Sequence, residues 1–219
     1  MKWTKTSSVI PNQGGGKVRI KTKLGEMGLT ELEQEQVGHT VGTAREILQT
    51  VISQLNWPSN LDPRLKAHMA LYFKTANAGP TWTQMIAIKR KLVLTMNGIS
   101  SKVNVKVAPD EAYGYVGFKK GVKGVMRGLF SSRHNLGTRN GELVSRGDIH
   151  IDRDVLGGEL AVITFIHEAT HKYADTVDHG DSGYVDNSGS DFDAPGLTTA
   201  QALNNADSYA WFCFAAYYR

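Results

Sequence analysis

Between Gly158 and Asp175, Leu160, Ile163 and either Ile166 or His167 recur at helical spacing, and the same segment reads His167-Glu168-Ala169-Thr170-His171. This pattern constrains the fold more than any other in the chain, because it calls for a helix with an apolar face in the core and a chemically active face beside it. Four residues are about one helical turn, so both imidazoles project from one side and can grip a single Zn²⁺ at about 2.0 to 2.1 Å. Glu168 is rotated by about 100° and reaches beside the metal, where it can take a proton from water that the metal acidifies. The expected chemistry is hydrolysis of an amide bond. A structural helix with two incidental histidines is the weaker reading, since few chains with seven histidines bring two of them around a Glu at this spacing.

The third ligand decides the subclass. No glutamate follows Glu168, which excludes a zinc-binding Glu from a downstream helix. The extended pattern with Gly three and His six residues after the second His also fails, because those positions hold Ala174 and Val177. The single Cys213 cannot build a thiolate cage or an intramolecular disulfide. What remains is His179 and a crowd of aspartates, Asp175, Asp178, Asp181, Asp186, Asp191 and Asp193, most of them expected in turns. The spacing from Asp186 to Asp193 does not match a calcium loop.

Three stretches succeed one another here: His167 to His171, then Gly180-Asp181-Ser182-Gly183-Tyr184, then Asn205-Ala206-Asp207-Ser208-Tyr209. Over residues 149–214 this succession resembles the aspzincins, the family of deuterolysin and the peptidyl-Lys metalloendopeptidases, whose pattern is HExxH, a loop GTxDxxYG and a helix with NADxYE. The resemblance implies a zincin-like endopeptidase with His167, His171 and Asp181 as zinc ligands and Glu168 as general base. It implies Tyr184 as the phenol that hydrogen-bonds the developing oxyanion, where a residue-level reading allows a loop-packing aromatic. In the Lys-specific members an acidic pair receives the substrate ammonium group. Here Asp207 stands alone, with Ala210 in place of the Glu, which predicts a mild preference for Lys or Arg just after the cut. Asp207 can instead hydrogen-bond a zinc histidine. Asp178 and Val185 replace family glycines around the loop.

Upstream, Gly14, Gly15 and Gly16 close a polar stretch, so residues 1–16 read as a flexible leader and 17–219 as one zincin-like domain. Lys17 follows the glycines, but Val18 stands where a phosphate-binding loop needs Ser or Thr. Val18, Ile20 and Leu24 suggest a short strand. Thr30 with Glu33 predicts a capping box for a helix faced by Val37, Val41, Ala44, Leu48, Val51 and Leu55. Asp62-Pro63 starts a second helix with Leu65, Met69 and Tyr72 or Phe73 inward. A third runs from about Thr81 to Met96, with Trp82, Met85, Ile88 or Lys89, Leu92 and Met96 in register and Asn97-Gly98 as its stop. From 102 to 152 the period becomes two, at Val103, Val105, Val107, Ile149 and Ile151. Helices followed by a small mixed sheet give a helix-rich α+β class. Asp148 to Asp152 is expected as an edge strand along which a peptide substrate adds itself. Lys119, Lys120, Lys123, Arg127, Arg133 and Arg139 form a solvated hairpin or a basic rim over a cleft.

Twenty-five Lys and Arg against 21 Asp and Glu leave +4, too weak a surplus to predict a nucleic-acid partner. The apolar runs Leu160 to Ile166 and Tyr209 to Tyr218 are far shorter than the roughly 20 residues that cross a bilayer, so no membrane insertion is expected. No signal peptide follows Lys2 and Lys5. The expected partner is a protein or peptide substrate. Such an enzyme works in its own cell or leaves by a signal-independent machine, as an injected effector or toxin does, and an inhibitor or immunity protein is then a candidate partner. The rival functions are a zinc amidase acting on cell-wall peptides and a non-catalytic basic binding module.

Overall fold

Thr30 and Glu33 close the capping box reciprocally. The Glu33 amide donates to Thr30 Oγ1 at 3.2 Å and the Thr30 amide to Glu33 Oε2 at 2.7 Å, which starts helix α1, Glu31–Gln54. The computed structural model describes residues 2–4, 8–11, 16–109, 114–119, 136–139, 142–185 and 192–218. Asp62 caps α2, Pro63–Phe73, through the Arg64 amide at 2.8 Å. Thr81 and Gln84 form a second capping box for α3, Trp82–Ser100. The expected inward stripes of α1 and α2 are all buried.

Two expectations for α3 change. Asn97-Gly98 does not stop it, because Gly98 serves packing: a Cβ there would come within 2.2 Å of the Tyr173 ring. Trp82 faces outward, while Met85, Ile88 and Leu92 carry the inward face. The terminal residue of a helical stripe has lost its neighbours on one side, so periodicity alone does not bury it.

The sheet comprises β1 Ser8–Pro11, β2 Lys17–Thr22, β3 Val103–Ala108, β4 Gly114–Lys119, β5 Leu136–Arg139 and β6 Glu142–Asp152. Its order is β1-β2-β3-β6-β4, with β5 also paired to β6; β2, β3 and β6 run parallel and the other pairings are antiparallel. The class is thus the expected α+β one with a mixed sheet. Part of the anticipated leader is strand: β1 pairs with β2, and Trp3 bridges Lys23. Leu24 lies beyond β2 and is exposed. The Asp148 to Asp152 segment is central rather than an edge, since β3 takes one side of it and β4 the other. Among the described residues, the edge next to it is β4. Of the basic hairpin, Lys120, Lys123, Arg127 and Arg133 lie outside the described residues.

Val18, Ile20, Val103, Val105, Val107, Ile149 and Ile151 present one buried face of the sheet to the helices. Each such side chain is worth roughly 1.5–3 kcal/mol of burial. Against them pack α1, α3 and α4, Glu159–Ala174, with α5, Ala206–Tyr218, closing the far side of α4. Phe73 touches Tyr209 and Phe212 edge-on at 4.8 and 5.0 Å, which locks α2 to α5. Helix α4 is buried from Ala161 to Ala174, so its histidines sit on a rigid, enclosed element.

Candidate metal centre

His167 and His171 lie one turn apart in the second half of α4, with their Nε2 atoms 3.0 Å from each other. Their Nδ1 atoms are committed elsewhere. His171 Nδ1 lies 2.8 Å from the Thr176 carbonyl, which can only accept, so this nitrogen carries the proton. His167 Nδ1 lies 2.6 Å from Asp207 Oδ1, and the other Asp207 oxygen accepts from the Val185 amide at 2.9 Å. Both tautomers, assigned from these partners, leave bare lone pairs on the two facing Nε2 atoms.

Asp178 Oδ1 completes a triangle, 3.3 Å from His167 Nε2 and 3.1 Å from His171 Nε2. Three electron-rich atoms this close repel unless a cation sits among them. Ligand arms of about 2.0–2.1 Å in tetrahedral geometry set ligand atoms roughly 3.3 Å apart, which the triangle nearly matches. The donor set of two imidazoles and a carboxylate therefore fits Zn²⁺. A proton competes for the same place. Burial opposes charge on His167, but hydrogen bonds to Asp178 and Asp207 outweigh it and raise its pKa well above the ordinary value. For Asp178 burial again works against charge, and the two histidines overcome it, holding the carboxyl far below its usual range.

Glu168 also lies close enough to join a cluster with the two histidines. Its Oε1 is 3.7 Å from His167 Nε2, farther than either Asp178 contact, and its Oε2 is buried without a hydrogen-bond partner. Burial raises its pKa. A carboxylate with one oxygen near the metal position and another unsatisfied is suited to hold a water. Gly114, the first residue of β4, packs directly behind it: a Cβ there would meet Thr164 Cγ2 at 2.6 Å, the His150 carbonyl at 2.8 Å and Glu168 Cγ at 3.1 Å.

The loop after α4 is held by backbone. Asp175 ends the helix at φ 53°, in the left-handed region. Thr176 Oγ1 meets Thr170 Oγ1 at 2.8 Å. The Val177 amide then donates to Asn204 at 2.9 Å and the Ala206 amide to Val177 at 3.1 Å, a parallel bridge that fixes the residue just before Asp178. Lys91 of α3 supports this bridge, its Nζ donating to the Ala174 carbonyl at 2.7 Å and to Asn204 Oδ1 at 3.0 Å. Asn205 Nδ2 holds the Gly183 carbonyl at 2.8 Å, at the end of the turn Gly180–Gly183.

Of the expected site residues, His167, Glu168 and His171 come together, with Tyr184 beside them. The Tyr184 ring lies 10° from parallel to the His167 ring at 6.2 Å, and burial followed by the nearby charges of Asp178, Asp207 and Glu168 pushes its pKa up to about 12, so it is a neutral O–H donor. Asp181 is not brought to the histidines; it sits exposed in the turn, and Asp178 lies against both imidazoles instead. Asp207 has both oxygens engaged, one on His167 and one on the Val185 amide, which matches the alternative of a carboxylate that hydrogen-bonds a histidine. Asp178 is among the aspartates that the sequence leaves open, whereas the Thr176 carbonyl is not foreseen there. Their signal was Thr176-Val177-Asp178, which fits the T-x-D step of the GTxDxxYG loop once three additional residues are allowed before Tyr184. In that register Asp175 takes the place of the family glycine, and its positive φ is what a glycine would supply.

No known family model matches the chain, and no curated protein matches it either. Among solved structures it is similar to a zinc peptidase from Grifola frondosa, with a TM-score of 0.55 at 11% sequence identity, over 84% of this chain and 96% of that one. The chain therefore has the fold of a zinc peptidase.

Proposed function

We propose that the protein is a zinc-dependent metallopeptidase of aspzincin type, with His167, His171 and Asp178 as metal ligands, Glu168 as general base and Tyr184 as oxyanion donor. The observation that carries this reading is the triangle of His167 Nε2, His171 Nε2 and Asp178 Oδ1, whose edges of 3.0, 3.1 and 3.3 Å suit three ligands of one Zn²⁺. The fold shared with the Grifola frondosa zinc peptidase supports a peptide as substrate. When bound, zinc supplies a Lewis acid that polarises the scissile carbonyl and brings the pKa of water to about 7.

The chain's own residues do the rest. An extended peptide adds antiparallel to the side of β4 that no strand covers among the described residues, and the first residue of β4 packs against Glu168. Glu168 takes the proton of the attacking water and returns it to the departing amine, a task its burial-raised pKa favours. Tyr184 donates its hydroxyl hydrogen to the carbonyl oxygen as negative charge grows there. Asp207 and the Thr176 carbonyl keep the imidazoles in the ligating tautomer.

Metal analysis of two variants tests the assignment. Asp178→Ala should purify largely without zinc and fail to cleave a denatured protein mixture, whereas Asp181→Ala keeps both metal and activity. Loss of zinc from the Asp181 variant alone would overturn the ligand set. A fully loaded wild-type enzyme that cleaves no peptide bond would overturn the peptidase reading.

A further inference from the structure

Trp57 and Trp82 lie outside the core. Their indoles stack with centroids 4.5 Å apart and planes 11° from parallel, yet they remain 61% and 45% exposed. One turn along α3 from Trp82 comes Ile86, also 45% exposed, and one turn further comes Arg90, exposed and without an ion pair among the described residues. Lys89 Nζ donates to the Leu55 carbonyl at 2.7 Å, which ties α3 to the turn that carries Trp57. The two rings are therefore presented together on a fixed base.

Charge gathers in the same part of the chain. From Ile47 to Pro109 the sequence holds eight Lys and Arg against one acid, Asp62, while the remaining residues hold 17 bases and 20 acids. That acid is already used, since its carboxylate caps α2 and lies 3.6 Å from Arg64 Nε. Lys74 and Lys106 are likewise paired, with Asp193 and Asp148, so the charge that bears on the indoles is that of Lys89 and Arg90, on the helix that carries Trp82.

We propose that Trp57, Trp82 and Ile86, with Arg90 beside them, are a docking surface for an anionic lipid bilayer. Indole pairs an apolar body with one N–H, the profile that places Trp at the headgroup level of membranes. Basic residues around such an apolar group add attraction to anionic lipids that salt screens. The contact is peripheral: among the described residues, no helix is long and apolar enough to cross a membrane. Nucleic acid fits less well. Bases need free aromatic faces, and here one face of each ring is spent on the other while Ile86 offers none.

The test uses the full chain, sedimented with vesicles of phosphatidylcholine alone or with about one third phosphatidylserine. Wild-type protein should pellet with the anionic vesicles at low salt, release as salt rises, and stay in solution with neutral ones. Trp57→Ser with Trp82→Ser should abolish pelleting. Arg90→Glu, a surface change that leaves the indoles in place, should lower the partition coefficient roughly tenfold or more. Both variants should keep the wild-type melting temperature, zinc content and cleavage activity, since none of these residues belongs to the metal centre. Wild-type protein that ignores anionic vesicles at low salt would overturn the proposal, as would equal pelleting of the double Trp variant. Binding of a single-stranded oligonucleotide in place of vesicles, lost in that variant, would overturn it and give the surface to nucleic acid.

Discussion

Helix α4 and the loop that follows it each supply part of the candidate metal centre, and they do so in different ways. The helix places His167, Glu168 and His171 by its own repeat, so their relation is fixed within five residues. The loop places Asp178 through contacts far away in sequence: the bridge from Val177 to Asn204 and Ala206, and Lys91 beneath it. Local geometry is legible in a sequence. Geometry that depends on a partner more than 20 residues distant is legible only when that partner is known.

The largest effect tests the helix half. Glu168 holds no edge of the ligand triangle, so Glu168→Gln should retain zinc and lose cleavage by about 10²–10⁴-fold or more. Zinc stoichiometry and turnover, measured on the same preparation, check both parts. Near wild-type turnover would remove Glu168 from the chemistry, and loss of zinc would make it a ligand.

Asp207 joins the two halves, since one oxygen holds His167 and the other holds Val185 at the end of the loop. Asp207→Ala should weaken zinc binding about 10–100-fold in a chelator competition. The cleavage profile should show no change at basic residues, because the carboxylate faces the histidine instead of the substrate. A profile that loses a Lys or Arg preference while metal affinity stays intact would restore the substrate role read from the sequence.

The two roles the sequence allows Asp207, substrate carboxylate and partner of His167, mark where legibility ends. The capping boxes at Thr30 and Thr81, the Asp62-Pro63 start and the apolar stripes of α1 and α2 depend on neighbours three or four residues away, and they appear as expected. Gly98 looked like a helix stop because its packing partner, Tyr173, is 75 residues distant. Asp148 to Asp152 looked like an edge because nothing in that stretch announces β4 on its far side. Asp181 looked like the ligand because a Tyr three residues on satisfied the family spacing. Asp178 satisfied the preceding T-x-D step instead, and the left-handed turn at Asp175 swings it back to the histidines.

Lys91 allows the long-range support to be broken without touching the loop. Burial lowers its pKa, yet its Nζ is spent on the Ala174 carbonyl and Asn204 Oδ1. Lys91→Met leaves both acceptors unsatisfied, at a cost of about 1–3 kcal/mol to folding. Zinc affinity should also fall, by about tenfold, since Asn204 anchors Val177 and so Asp178. A lower melting temperature with unchanged zinc affinity would show that the bridge holds the loop without Lys91.

The smallest expected effect is the most specific to the turn. Asp175 adopts φ 53° and ψ 45°, a conformation that costs an ordinary L residue roughly 1–2 kcal/mol and Asp somewhat less, because its short side chain tolerates the left-handed region. Glycine adopts it without that strain but brings a more flexible unfolded chain, which offsets part of the gain. Asp175→Gly should therefore raise stability by about 0.5 kcal/mol or leave it unchanged, with zinc content and turnover preserved. Asp175→Val places a β-branched residue at the same φ and should destabilise by about 1–2 kcal/mol, loosening zinc as the turn shifts. Denaturant unfolding of the two variants checks the sign. If both cost the same, the side chain of Asp175 contributes something other than a tolerated backbone angle, and the equivalence with the aspzincin glycine that supports the proposed ligand role of Asp178 fails.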